Sequence, residues 1–163
     1  MHARTAIAAA IAVCLAAPAA AADPLDRAAQ LFFDVCVNAF PNLPSMQRAA
    51  EQGGLQQTRS GKYAGAGVYS RYSSDVVSID IEESRSVRGQ PRCVMFLWGN
   101  VARSDLSDAL QRQLGRARVD NLKPVRKGVT LEAHFLRKGV PGRIRVESMG
   151  GVSSVAAVEP QRK

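Results

Sequence analysis

Two cysteines set the tightest limit on what this chain can fold into. Of the three in the sequence, Cys14 lies in a stretch that reads as a removable export signal, which leaves Cys36 and Cys93. Cys93 opens the segment Cys93-Val94-Met95-Phe96-Leu97-Trp98, the longest unbroken apolar run outside the N-terminus. A run this short and this apolar predicts a strand buried on both faces rather than a helix. Cys36 falls on the apolar stripe of a predicted helix. An even pair in an exported chain predicts a disulfide, here one that ties the first helix to the central strand of a sheet. Closing a loop of that length is worth about 4 kcal/mol by the chain-entropy argument, comparable with the whole net stability of a small domain.

The export reading rests on residues 1–22. Met1-His2-Ala3-Arg4 is a short basic start, Ile7 to Ala17 is apolar and small, and Pro18 breaks it. Ala19 to Ala22 then offer small residues before Asp23, the layout of a secretory signal peptide. The apolar part is shorter than the roughly 20 residues a bilayer span needs. Val13 stands where a lipoprotein signal places a small residue before its cysteine, which argues against lipidation at Cys14. Residues 23–158 are expected to form a single domain and 159–163 a flexible tail. The full chain carries a net charge of +8, of which Arg4 leaves with the signal. The expected location is periplasmic or secreted, with no transmembrane span in the mature chain.

Along the domain, residues 26–40 show an apolar stripe at helical spacing, with Asp26 as cap and Pro41 as stop. A second short helix starts at Ser45 and stops at Gly53-Gly54. Residues 56–62 are polar and read as a loop. Tyr63 to Tyr72 reads as a strand weakened by two glycines, and 76–82 alternates as a half-buried strand that pairs with 92–98. A helix follows from Ser104 to Leu114. Three further strands, 129–135, 143–147 and 152–158, are separated by turns at Val140-Pro141-Gly142 and Gly150-Gly151 and form a meander. The predicted class is α+β, a single antiparallel sheet of about five or six strands with helices packed on one face and one disulfide. Trp98, at the end of a buried strand, is expected to belong to the core.

Motifs that would commit the chain to a reaction are missing. No G-x-S-x-G elbow and no phosphate-binding glycine loop is present. One histidine and two distant cysteines lack the paired spacing of a zinc site; neither a metal nor a cofactor is expected, and no catalytic residue is assigned. The one histidine after the signal, His134, alternates with Glu132 and Thr130 on the polar side of its strand. A hydrolase using His134 is the alternative reading, because a general base near neutral pH is usually histidine.

Charge gives the remaining signal. Arg112, Arg116, Arg118, Lys123, Arg126 and Lys127 form one basic cluster, and Arg137, Lys138, Arg143 and Arg145 a second. The second is a candidate anion-binding set, since guanidinium groups match carboxylate and phosphate oxygens. No aromatic residues interleave these clusters, so nucleic acid is a poor match.

The layout as a whole resembles small bacterial cell-envelope (periplasmic) proteins that carry a signal peptide, a first-helix cysteine as in Phe32-Phe33-Asp34-Val35-Cys36, and a second cysteine opening a central strand as in Cys93-Val94-Met95-Phe96. The resemblance covers most of the chain after the signal. It implies location and a disulfide and carries no activity. The function expected is therefore that of a non-enzymatic exported envelope protein binding a protein partner or an anionic envelope surface, lipid or polysaccharide.

Overall fold

The structure is a computed structural model that describes residues 23–62, 67–83, 89–127, 130–149 and 153–161. The expected signal segment 1–22 lies outside the described residues. Among those described, no helix is long and apolar enough to cross a membrane.

Helix α1 (Pro24–Phe32) runs into a wider π-helical turn (Phe33–Asn38), and α2 (Leu43–Gln52) follows. Strands β1 (Gln56–Lys62), β2 (Val68–Ser73), β3 (Val77–Glu83) and β4 (Pro91–Leu97) lead to α3 (Arg103–Gln113), and β5 (Asp120–Lys127), β6 (Thr130–Arg137), β7 (Val140–Met149) and β8 (Ser153–Pro160) complete the domain. Caps sit slightly upstream of the expected positions. Asp23, not Asp26, accepts from the Leu25 amide at 2.9 Å, and Asn42, not Ser45, caps α2 by accepting from the Ser45 amide at 2.9 Å. Proline in the first turn of both α1 and α2 fits a position where an amide would have no helical partner.

All pairings are antiparallel, in the order β1-β2-β3-β4-β8-β7-β6-β5. Two four-strand meanders therefore meet at a seam between β4 and β8. The class is α+β with a single antiparallel sheet, as expected, but the sheet has eight strands rather than five or six. The two that the pattern missed are its edges. β1 is the stretch read as a loop, and β5 carries Lys123, Pro124, Arg126 and Lys127. Edge strands need not alternate, because β1 buries neither side, and both edges are broken by a register shift. Charge, proline and bulges are the devices that keep open edges from pairing with another chain. The expected tail begins too early: β8 runs to Pro160, which is buried, and the Gln161 amide donates to the Pro141 carbonyl at 3.0 Å.

The helices cover one side of the sheet. Ile79, Ile81, Cys93, Met95, Ala133, Ile144, Val146, Ala156 and Val158 project to that side and pack with Phe32, Phe33, Val35, Phe40, Met46, Leu106 and Leu110. Cys36 and Cys93 are joined by a disulfide, with S–S 1.99 Å and Cα–Cα 5.5 Å, and neither residue is exposed. Arg112 of α3 donates to Asp26 of α1 at 2.9 and 2.7 Å, an exposed pair worth little by itself. The Ser107 hydroxyl oxygen accepts from the Leu131 amide at 3.2 Å and fastens α3 to β6.

Candidate functional site

Among the described residues the other side of the sheet carries no helix, and its residues line up in rows across the strands. Because register partners share a face, each row can be read from the pairing. One row runs Lys123, His134, Arg143, Glu159, Arg92, Glu82, Tyr69. The next runs Glu132, Arg145, Ala157, Val94, Asp80, Arg71. A third runs Glu147, Val155, Phe96, Ser78, Ser73. Acids and bases neighbour one another along the first two rows, and Val94, Val155, Ala157 and Phe96 form a small apolar centre on the seam.

The charged neighbours pair within the chain. Arg71 donates to both oxygens of Asp80 at 2.6 Å and stacks its guanidinium 5.7 Å from the centre of the Phe96 ring. Arg92 bridges Glu82 at 3.0 Å and Glu159 at 3.2 Å, and Arg143 meets the other Glu159 oxygen at 2.9 Å. Burial alone would raise the Glu159 carboxyl, but the Arg143 and Arg92 guanidinium groups overcome it and hold the carboxyl below its ordinary 4.5. Burial would lower the Arg92 guanidinium, but the Glu82 and Glu159 carboxylates overcome it and hold it above its ordinary value.

A lowered carboxyl contributes stability that is full above its unfolded value and is lost as pH falls through its folded one. Glu159→Gln is therefore expected to cost about 1–2 kcal/mol at pH 7, discounted because the groups are part-exposed. The difference from wild type should shrink as the pH drops below 4.5; urea unfolding at several pH values measures it, and a gap independent of pH would refute the account.

His134 is held on both sides. Its Nε2 lies 3.1 Å from Glu132 Oε1 and its Nδ1 lies 2.7 Å from Gln161 Nε2. Gln161 Nε2 can only donate, so Nδ1 accepts and Nε2 of the ring carries the proton toward Glu132. Neither ring nitrogen is left to take a proton from a hydroxyl. The Glu132 neighbour was legible from strand alternation; Gln161 was not, because it belongs to a segment expected to be loose.

The candidate anion-binding set does not converge on one place. Arg143 and Arg145 share the open face, but each is bonded to a glutamate, Arg145 to Glu147 at 2.8 Å. Arg137 shares the parity of the core residue Phe135 and donates to the Arg118 carbonyl. Lys138 occupies the β6–β7 turn at φ 50°.

Trp98 overturns its core expectation: it is 56% exposed. Its amide donates to the Val76 carbonyl at 3.0 Å, continuing the β3–β4 ladder past Val77 and Leu97, and Val76 is itself 39% exposed. The two stand together at one end of the sheet, next in parity to Phe96. The burial logic fails here because the residue lies one step past the strand, where no helix covers it. Val76 also lines a cleft of about 310 Å³ under the N-terminal turn of α1 and the Gly53-Gly54 bend, with Arg27 and Asp75 at its rim. Among the described residues, no group of three or more His, Cys, Asp or Glu side chains gathers to hold a metal ion. No protein-family model, no curated protein and no solved structure matches this chain.

Proposed function

We propose that this is a non-enzymatic exported cell-envelope protein that acts by binding a protein partner through the open face of its sheet. The observation that carries the reading is the exposed Trp98–Val76 pair at the end of that face. Tryptophan and arginine are the residues that most often anchor protein interfaces, and here Trp98 continues a face holding Arg71, Arg92, Arg143 and Arg145. A dedicated anionic surface is less well supported, since Arg143 and Arg145 already hold glutamates. The hydrolase alternative would need a histidine nitrogen that Glu132 and Gln161 occupy.

The test places a photoreactive amino acid at position 98 and, as a control, at the exposed Arg48 of α2, in cells exporting the full chain. Irradiation should give a discrete adduct from position 98 and none from position 48. Equal adducts from both positions, or none from position 98, would remove the reading.

A further inference from the structure

We infer that the partner at the open face is a second copy of this chain, packed face to face about a two-fold axis that runs along the β4–β8 seam parallel to the strands. The inference rests on the protein-binding reading above and specifies the partner. Such an axis sets β8 of one copy against β4 of the other, β7 against β3, and β6 against β2. Every row then meets its own reverse.

The charges fit that operation. In the row through the seam, Arg145 of one copy meets Asp80 of the other, Glu132 meets Arg71, and Ala157 meets Val94. In the adjacent row Arg143 meets Glu82, Glu159 meets Arg92, and His134 meets the Tyr69 hydroxyl. In the third row Val155 meets Phe96, and Glu147 meets the Ser78 hydroxyl. No like charges coincide in these pairings, which is what an isologous contact requires of a self-complementary patch. The in-chain ion pairs are kept, and each of the four arginines, Arg71, Arg92, Arg143 and Arg145, gains a further neighbour of opposite sign.

The match is informative because the chain is strongly basic. At a net +8 for the full sequence, and +7 once Arg4 has left, two copies repel over most relative orientations. The open face is where bases and acids alternate, so it is where a second copy can approach without that repulsion. Eight strands about 4.8 Å apart and about seven residues long span roughly 850 Å², close to the roughly 800 Å² per partner of a standard interface. Sheet twist offsets aligned sheets by about 30°, so the contacts at the axis, Ala157 with Val94 and Glu159 with Arg92, keep the best register, and Arg145 with Asp80 and Arg143 with Glu82 follow one strand out.

The disulfide-bonded protein without residues 1–22 is taken for sedimentation velocity from micromolar to near-millimolar concentration, in parallel with emission from its single tryptophan. Wild type should pass from monomer to dimer with a matching shift in Trp98 emission. Asp80→Arg and Arg145→Asp should each abolish the dimer, because each places like charges at both symmetric contacts. Mixed in equal amounts, the two variants should recover it, because the mixed pair restores opposite charges at both.

Wild type that stays monomeric throughout overturns the inference without any variant. So does a dimer that neither charge reversal weakens, or one that mixing fails to restore from two folded variants. If the protein is monomeric and position 98 still forms an adduct with a different protein, self-association is wrong and the protein-binding reading stands. If it is monomeric and no adduct forms, both fall.

Discussion

Replacing Cys36 and Cys93 together by alanine should lower the unfolding free energy by about 4 kcal/mol. The bond spans 57 positions of sequence, so most of the gain comes from what it removes from the unfolded ensemble. It joins the π-helical turn after α1 to β4, the strand at the seam of the sheet, and thus fastens the N-terminal helical layer to the core. Set against net stabilities of about 5–15 kcal/mol for single domains, that loss brings the protein near its folding limit. Equilibrium urea unfolding of the double variant against wild type measures it. A change below about 1 kcal/mol would show that packing of Phe32, Val35 and Phe40 holds the layer without the crosslink. Because both cysteines are fully buried, reduction of the native protein should be slow and should follow its opening rate rather than thiol concentration.

What could be read from the sequence follows the burial of each segment. β3 and β4 were legible because they sit inside the sheet, where Val77, Ile79 and Ile81 must face the helices while Ser78, Asp80 and Glu82 must not. β1 and β5 were not, since an edge strand has little core to face and its safest side chains are polar and charged; the same residues that made them look like loops protect the sheet from extension. The basic character of 116–127 therefore finds part of its explanation in architecture. The candidate site was harder still. That Arg143 stands beside Glu159, or Arg71 beside Asp80, depends on cross-strand register, and a chain read in one dimension shows only that basic residues recur. Position within a strand told which side Arg143 and Arg145 occupy. It could not tell that glutamates were waiting opposite them.

Truncating Phe135 to alanine should destabilise the protein by about 3–5 kcal/mol, the usual range for emptying an aromatic site in a packed core. The Phe135 ring meets Phe40 edge to face, with centroids 5.5 Å apart and planes at 80°, and so joins β6 to the end of the π-helical turn. It also lies across the ladder on Gly142, its register partner in β7, where any Cβ would collide with the ring. Gly142 is thus required for close approach: the ring fills the space its missing side chain leaves. Gly142→Val alone should cost about 1–3 kcal/mol by forcing the ring off its site. In the Phe135→Ala background the valine instead enters vacated space. The double variant should therefore be more stable than the sum of the two single losses predicts, with a coupling of about 1–2 kcal/mol. Strict additivity would mean that ring and glycine do not share one volume, and the packing of β6 on β7 would have to be explained by the neighbouring Ala133–Ile144 pair.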